Sequence, residues 1–345
     1  MVVFCVKCGV LDLTFSKLQD LDHEFFGFQW WMQFGVDKDI LSQHKRAKGY
    51  YYKKIRYKTY PLVIPHTQVW YRKRDTKLTQ HWIKISVRKR KGVGLWLPIK
   101  PHKNLLDFKY LKDSLLLQNH KGRYELRLVF DVPVKKVNPR NLLAIDLGEK
   151  VIATVCDTKG NKLFLGKDIR GLRRHYTYLR RQLGKKKLLK KIKQVGQKEK
   201  NKIRNRLHHI SNTIIRLAKE NKSAIVIGEI KGIRRKKTKS KFLNRMIYNM
   251  PYHALTRMVQ YKAEQQGLQI YKINEAYASI TCHKCGNIDK KQRKTQGLFS
   301  CASCGLQYNA DLNGAMNNLQ RAEEQRFLAG AMAEAQKLIT THVNQ

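Results

Sequence analysis

Three acids and four cysteines have the types and spacing to do chemistry in this chain. Asp146 closes the apolar run 142–148, Glu229 closes the apolar run 224–229, and Asp311 follows Tyr308-Asn309-Ala310 at the start of a helix-forming stretch. Three carboxylates gathered at one place repel one another, so such a grouping makes sense only around cations. Hard oxygen donors select Mg²⁺ or Mn²⁺. Two such ions about 3.5–4 Å apart clamp the attacking and leaving oxygens of a phosphodiester during in-line displacement, with no histidine base required. Glu149, Asp157 and Asp168 fall in turns or at a helix start and read as surface or capping groups.

The cysteines form two Cys-x-x-Cys pairs, Cys282/Cys285 and Cys301/Cys304, with fifteen residues between the pairs. That spacing encloses one tetrahedral Zn²⁺, and four thiolates leave no open position, so the expected zinc is structural. Such a site supplies on the order of 10–16 kcal/mol of apparent binding energy to a segment too small to fold alone. Gly286 and Gly305 follow the pairs where tight knuckles need them, and Lys284, Lys290, Lys291 and Arg293 give the ribbon a surface for nucleic acid. Cys5 and Cys8 lack a partner pair and, on a strand, face opposite ways; a second zinc there would need His23 or another ligand. Cys156 reads as a buried thiol.

Several elements must position these groups. Residues 82–87 and 124–130 alternate with the period of two of half-buried strands, 95–99 adds another strand, and the region before Pro139 reads as an all-β unit with helices between about Ser16 and Arg46. After Pro139, residues 142–148, 151–157 and 162–165 read as an antiparallel meander. Leu172, Tyr176, Leu179 and Leu183, then Ile203, Leu207, Ile210, Ile214 and Leu217, recur at helical spacing. They predict a helical hairpin with its break between Gly184 and Gly196. A buried strand at 224–229, a helix at 252–266, a strand at 268–274, the ribbon, a helix from Asp311 and a final helix over 321–342 complete the order.

The chain of 345 residues exceeds the roughly 250–300 at which single cores stop growing, so more than one unit is expected. Lys and Arg number 71 against 25 acids, a formal net charge of +46. A polyanion relieves that self-repulsion, because each neutralised phosphate releases a condensed counterion. The hairpin is nearly all basic, and helices built for water alternate their signs instead. Its candidate phosphate contacts are Arg173, Arg174, Arg180, Arg181, Lys185, Lys186, Lys187, Lys190, Lys191, Arg204 and Arg206, continued by Arg234, Arg235, Lys236 and Lys237 in the loop after Glu229. Aromatics among cations at 50–54 and 70–74 read equally as base-stacking or core residues. No apolar run is long enough to span a bilayer, no signal peptide opens the chain, and paired thiols fit a reducing compartment. The expectation from these features is an intracellular protein without a membrane partner.

The region from about Leu142 to Leu319 resembles the RuvC-type nuclease of the transposon-encoded TnpB family, whose relatives include the miniature type V CRISPR effectors. The resemblance rests on Ala144-Ile145-Asp146-Leu147-Gly148, Val226-Ile227-Gly228-Glu229-Ile230, residues 277–286 around the first cysteine pair, and residues 309–315. It implies a multidomain α+β protein. A β-barrel wedge with a small helical recognition insertion would occupy residues 1–140. A ribonuclease H-like core would occupy 141–278 (with basic helices at 168–222) and 308–322, the zinc ribbon 279–307, and a helical tail 323–345. It also implies an RNA-guided DNA endonuclease, with catalytic Asp146, Glu229 and Asp311, two Mg²⁺ or Mn²⁺, one zinc, a guide RNA and a double-stranded target bearing a short flanking motif. Departures are Ile230 after the second acid, Glu275 where the family often has Pro, and Ala278 where Thr is common. The competing readings are a guided repressor that cuts weakly or not at all, an unguided structure-specific nuclease, and a non-enzymatic zinc-ribbon RNA-binding protein.

Overall fold

The computed structural model describes residues 2–11, 13–34, 62–87, 92–119, 123–229, 250–295 and 297–325. The expectations for Arg234, Arg235, Lys236 and Lys237, for the cluster at 50–54 and for the tail beyond 325 lie outside these residues. The chain divides into two compact units, Met1–Val134 and Lys135–Gln345.

The first unit is a seven-stranded antiparallel sheet that curls into a half barrel, ordered β2-β6-β7-β1-β5-β4-β3. Its strands are β1 (Val2–Val10), β2 (Leu62–Ile64), β3 (Val69–Lys73), β4 (His81–Ile85), β5 (Leu95–Pro101), β6 (Leu111–Gln118) and β7 (Tyr124–Val132). Alternation buries one face of the sheet: Val6, Cys8, Leu126, Leu128, Phe130, Leu97 and Ile99 turn inward and are fully buried. Each full burial contributes about 1.5–3 kcal/mol for a residue of that size. Cys8 is buried and Cys5 exposed, the opposite facing that strand geometry requires. Helix α1 (Phe15–Phe34) closes the same core with Leu21 and Phe25. Asp22 accepts a hydrogen bond from the Tyr124 hydroxyl at 2.5 Å, and the Phe25 and Tyr124 rings meet edge-on.

The second unit is built on a five-stranded mixed sheet, ordered β10-β9-β8-β11-β12. Strands β8 (Asn141–Asp146), β9 (Ala153–Asp157) and β10 (Lys162–Leu165) form the antiparallel meander, while β11 (Ser223–Glu229) runs parallel to β8 and to β12 (Ile270–Asn274). One face packs Leu143, Ile145, Ile225 and Ile227 against helices α2 (Asp168–Lys185), α3 (Leu189–Glu220) and α4 (Tyr252–Gln265). The other packs Leu142, Ala144, Val226 and Ile273 against Leu312, Ala315 and Leu319 of helix α5, residues 310–325.

The hairpin breaks between Gly184 and Gly196, as the sequence reading expects. Gly184 itself lies inside α2 and Gly196 inside α3, and the chain turns at residues 186–188. Lys187 takes the left-handed conformation there (φ 52°) and its N–H bonds the Gly184 carbonyl. The expected stripe on α3 is buried at Ile203, Leu207, Ile210 and Ile214.

Candidate active site

Strand parity decides which groups meet. Residues two apart on a strand share a face. Asp146 follows Leu142 and Ala144, so it belongs to the α5 face. Ile227 is level with Ile145 in the parallel β8–β11 pair, which puts Gly228 level with Asp146. Ile273 is level with Gly228 across β12, and Glu275 follows Ile273 at the same parity. Glu229 follows Ile225 and Ile227 and takes the parity of the α2–α4 face.

Helix α5 brings the third group. Asn309 caps it, accepting hydrogen bonds from the backbone N–H groups of Asp311 (3.1 Å) and Leu312 (3.0 Å). Asp311 therefore stands in the first turn, where the helix dipole favours an anion. A β-carbon on Gly314, one turn on, would meet the Asp146 carboxyl at 3.2 Å, and one on Gly148 would meet that of Asp311 at 3.6 Å. The missing side chains make room for the acids. A β-carbon on Gly228 would fall inside the Glu275 carboxyl group. The structure thus gathers Asp146, Asp311 and Glu275 on one face of the sheet edge.

The electrostatics agree with that grouping. Burial, then the negative fields of Glu275 and Asp311, push the Asp146 carboxyl from its ordinary 3.8 up to about 7. Burial lifts Glu275 from 4.5 to about 7 against the pull of Arg321, and lifts Asp311 against Arg293 and Lys150. Tyr252, buried beside the same acids, has its phenol raised by burial first and then by their charges. Arg293 reaches in from the ribbon to pair with Asp311 at 3.3 Å.

Because folding raises these carboxyl values, the stability they contribute is full below pH ~4 and is lost as pH rises through about 7. The displacement of Asp146 alone corresponds to roughly 4 kcal/mol. The metal-free chain is therefore expected to lose more stability between pH 5 and pH 8 than its Asp146→Asn variant does. Denaturant melts of both at the two pH values check this; equal losses contradict it.

A hard divalent cation fits this donor set. All three ligands are carboxylate oxygens, and the buried Oε1 of Glu275 finds no hydrogen-bond partner among the described residues. The three acids do not close on a single point: among the described residues, the group able to share one ion is Cys282, Cys285, Cys301 and Cys304, whose sulfurs lie within 4.8 Å of one another.

Those cysteines form the expected ribbon, joined by the two-stranded pair β13 (Leu298–Ser300) and β14 (Gln307–Asn309). Cys282 and Cys304 are 3.6 Å apart at sulfur, and Cys285 and Cys301 3.5 Å. Zinc–sulfur bonds of about 2.3 Å at tetrahedral angles place sulfurs about 3.8 Å apart, so the site has the size of a zinc centre. Gly286 (φ 73°) and Gly305 (φ 69°) turn the knuckles in the left-handed region. The Cys301 thiol is drawn down to about 7, first by the backbone N–H of Cys304. The knuckle is tied to α5: Asn313 accepts from the His283 backbone N–H and donates to Thr281, Asn317 donates to Ala278 and Thr281, and Gln320 donates to His283. The ribbon thereby fixes the helix that carries Asp311.

Of the basic residues read as phosphate contacts, Arg180 and Arg173 both face the buried Glu199, and Arg206 pairs with Asp168 at 2.8 Å. Arg174, Arg181, Lys185, Lys186, Lys187, Lys190, Lys191, Arg204 and Arg206 are exposed, and the lysines cluster at the tip of the hairpin. Sequence reasoning did not single out Glu275, which the structure places beside Gly228 and within the field of Asp146. The available signal was a glycine beside the expected acid on β11 and an acid at matching parity just past β12.

Residues 252–318 match the family model described as the Cas12f1-like TNB domain. The CRISPR-associated endodeoxyribonuclease Cas12f1 of Sulfoacidibacillus thermotolerans is 28% identical over 230 residues, covering 61% of this chain and 53% of that protein. The TnpB-like protein MJ0751 of Methanocaldococcus jannaschii is 28% identical over 209 residues, 56% of this chain and 74% of that one. The chain spans about half the length of the Cas12f1 relatives it matches. The crystal structure of an AacC2c1–sgRNA–extended non-target DNA ternary complex shares the fold, with a TM-score of 0.52 at 9% identity over 76% of this chain and 55% of the other. The chain is thus similar in sequence to the TnpB-like proteins and to the Cas12f1 endodeoxyribonucleases.

Proposed function

We propose that this protein is an RNA-guided DNA endonuclease that hydrolyses phosphodiester bonds with two Mg²⁺ or Mn²⁺ ions. The carrying observation is the packing of the Asp146 and Asp311 carboxyl groups against Gly314 and Gly148, at the end of β8 and the capped start of α5. The relatives named as endodeoxyribonucleases support the reaction class. Residues 141–278 and 308–322 form the nuclease core in this reading, 279–307 the zinc ribbon, 1–140 the wedge, and 323–345 the tail.

Bound divalent ions would activate the attacking water and take up charge on the departing oxygen. Asp146 and Asp311 would hold them, with a third carboxylate from the β11–β12 edge. Ionised carboxylates are required, so cation binding competes with protons on Asp146 and Glu275, both near 7. Arg293 pairs with Asp311 and would be free to contact phosphate if a cation took its place. The net charge of +46 and the exposed hairpin cations carry the nucleic acids. Sequence would be read by pairing with the guide, and the protein itself would read a short flanking duplex motif. A reducing prokaryotic cytoplasm suits the thiolate ribbon, and among the described residues no helix is long and apolar enough to cross a membrane.

Neutralising Lys185, Lys186 and Lys187 together is expected to weaken RNA binding and lower the salt slope by about 2–3, at 0.7–0.9 per lost phosphate contact. Binding isotherms at several salt concentrations measure it, and an unchanged slope removes the hairpin tip from the phosphate track. The function itself is tested by sequencing RNA that co-purifies with the protein and offering duplex DNA matched to it with Mg²⁺. Cleavage at matched sites only supports the proposal; no bound RNA, or cleavage indifferent to match, overturns it.

A further inference from the structure

We infer that the third carboxylate of the cation site is Glu275, at the end of β12, and that Glu229, at the end of β11, lies outside the site. The inference rests on the nuclease reading above and names which acid completes it.

Three independent observations converge. The first is parity. On β11 the residue level with Asp146 is Gly228, and Glu229 is one step further, on the face of Ile225 and Ile227. An acid at 228 would point at α5; one at 229 points toward the helices on the other side. The second is space. Gly228 leaves a gap at the sheet edge, and the Glu275 carboxyl fills the volume its β-carbon would take. The adjoining strand therefore delivers an oxygen to the place that β11 leaves bare. The third is hydrogen bonding. Glu275 Oε1 is buried with no partner among the described residues, a costly state for a carboxylate unless an ion or a proton supplies one.

The chemistry requires an oxygen at that place, not a particular strand. β11 and β12 are adjacent and parallel, with Gly228 level with Ile273. A side chain two residues past Ile273 therefore reaches back across Gly228 toward Asp146. Any larger residue at 228 would displace it, so glycine at 228 and glutamate at 275 act as a pair.

The test uses the full chain and Mn²⁺ as the probe, with binding followed by electron paramagnetic resonance and folding by thermal melts. Glu275→Gln is expected to weaken Mn²⁺ binding at least tenfold and to raise the melting temperature of the metal-free protein at pH 8, because one buried repelling charge is gone. Glu229→Gln is expected to change Mn²⁺ affinity less than threefold. In the swap Gly228→Glu with Glu275→Gly, the acid returns to β11 and Mn²⁺ binding is regained relative to Glu275→Gly alone. The opposite pattern, loss of Mn²⁺ with Glu229→Gln and retention with Glu275→Gln, overturns the inference but leaves the nuclease reading standing. Failure of the unaltered chain to bind Mn²⁺ overturns both.

Discussion

Asp146→Ala is expected to slow DNA cleavage at least a thousandfold while leaving RNA and target binding intact. Asp146 is half-buried at the end of β8, within the fields of Glu275 and Asp311. Its carboxylate would serve both ions of a pair, and losing about 4 kcal/mol of transition-state stabilisation is enough for a thousandfold effect. The cations expected to hold nucleic acid are elsewhere, on the exposed faces of α2 and α3. Removing the Asp146 charge leaves that surface unaltered. Parallel cleavage and binding assays separate the two effects. Full cutting by the variant would remove the mechanism, and a matching loss of binding would show that Asp146 acts through the fold instead.

Cys301→Ser is expected to lose zinc and, with it, most of the cleavage activity, by at least tenfold. The ribbon's own core is small, consisting of Cys282, Phe299, Cys301 and Ala310 with Cys304 and Leu306 against it. That much apolar burial cannot offset the conformational entropy of ordering the segment, and a metal bound by the four thiolates would contribute the remainder. The consequence reaches the active site because Asn313, Asn317 and Gln320 bind the first knuckle to α5, two residues and more beyond Asp311. Elemental analysis reads the zinc and a cleavage assay reads the coupling. Unchanged zinc content would refute the ligand assignment. Zinc loss with full activity would show that α5 holds Asp311 without the ribbon.

Much of the site is legible in the residues because local rules govern it. Asp146 ends a run whose continuous hydrophobicity marks a strand buried on both faces, and Asn309 before Asp311 is a helix cap read from residue type. The cysteine spacing specifies the ribbon with no tertiary information. The stripe from Ile203 to Ile214 is a single-helix pattern and appears in α3 as expected.

What was not legible depends on contacts between distant segments. The pairing of β1 with β7 joins Val2 to Val132, a match that composition does not announce. The two glycines bracket the hairpin turn, but each lies inside a helix with nothing within 4 Å of an added β-carbon, so neither makes the turn itself. The turn between them is made at Lys187, an exposed lysine in the left-handed region. Glu275 shows the difficulty most clearly. In sequence it is a departure from a family pattern, 46 positions after Glu229. Only the parallel register of β11 on β12 shows that it leans over Gly228 toward Asp146. Arg173 and Arg180, read as phosphate contacts, face Glu199, a contact between α2 and α3 that a charge census cannot reveal.

The most direct measurement is single-turnover cleavage by the protein purified with its own RNA, on duplex DNA matched to that RNA, with Mg²⁺ supplied or removed by a chelator. The expected result is cutting that appears with Mg²⁺, vanishes on chelation and returns when Mg²⁺ or Mn²⁺ is restored. Cutting that persists with every divalent ion chelated would contradict a site built from Asp146, Asp311 and a third carboxylate.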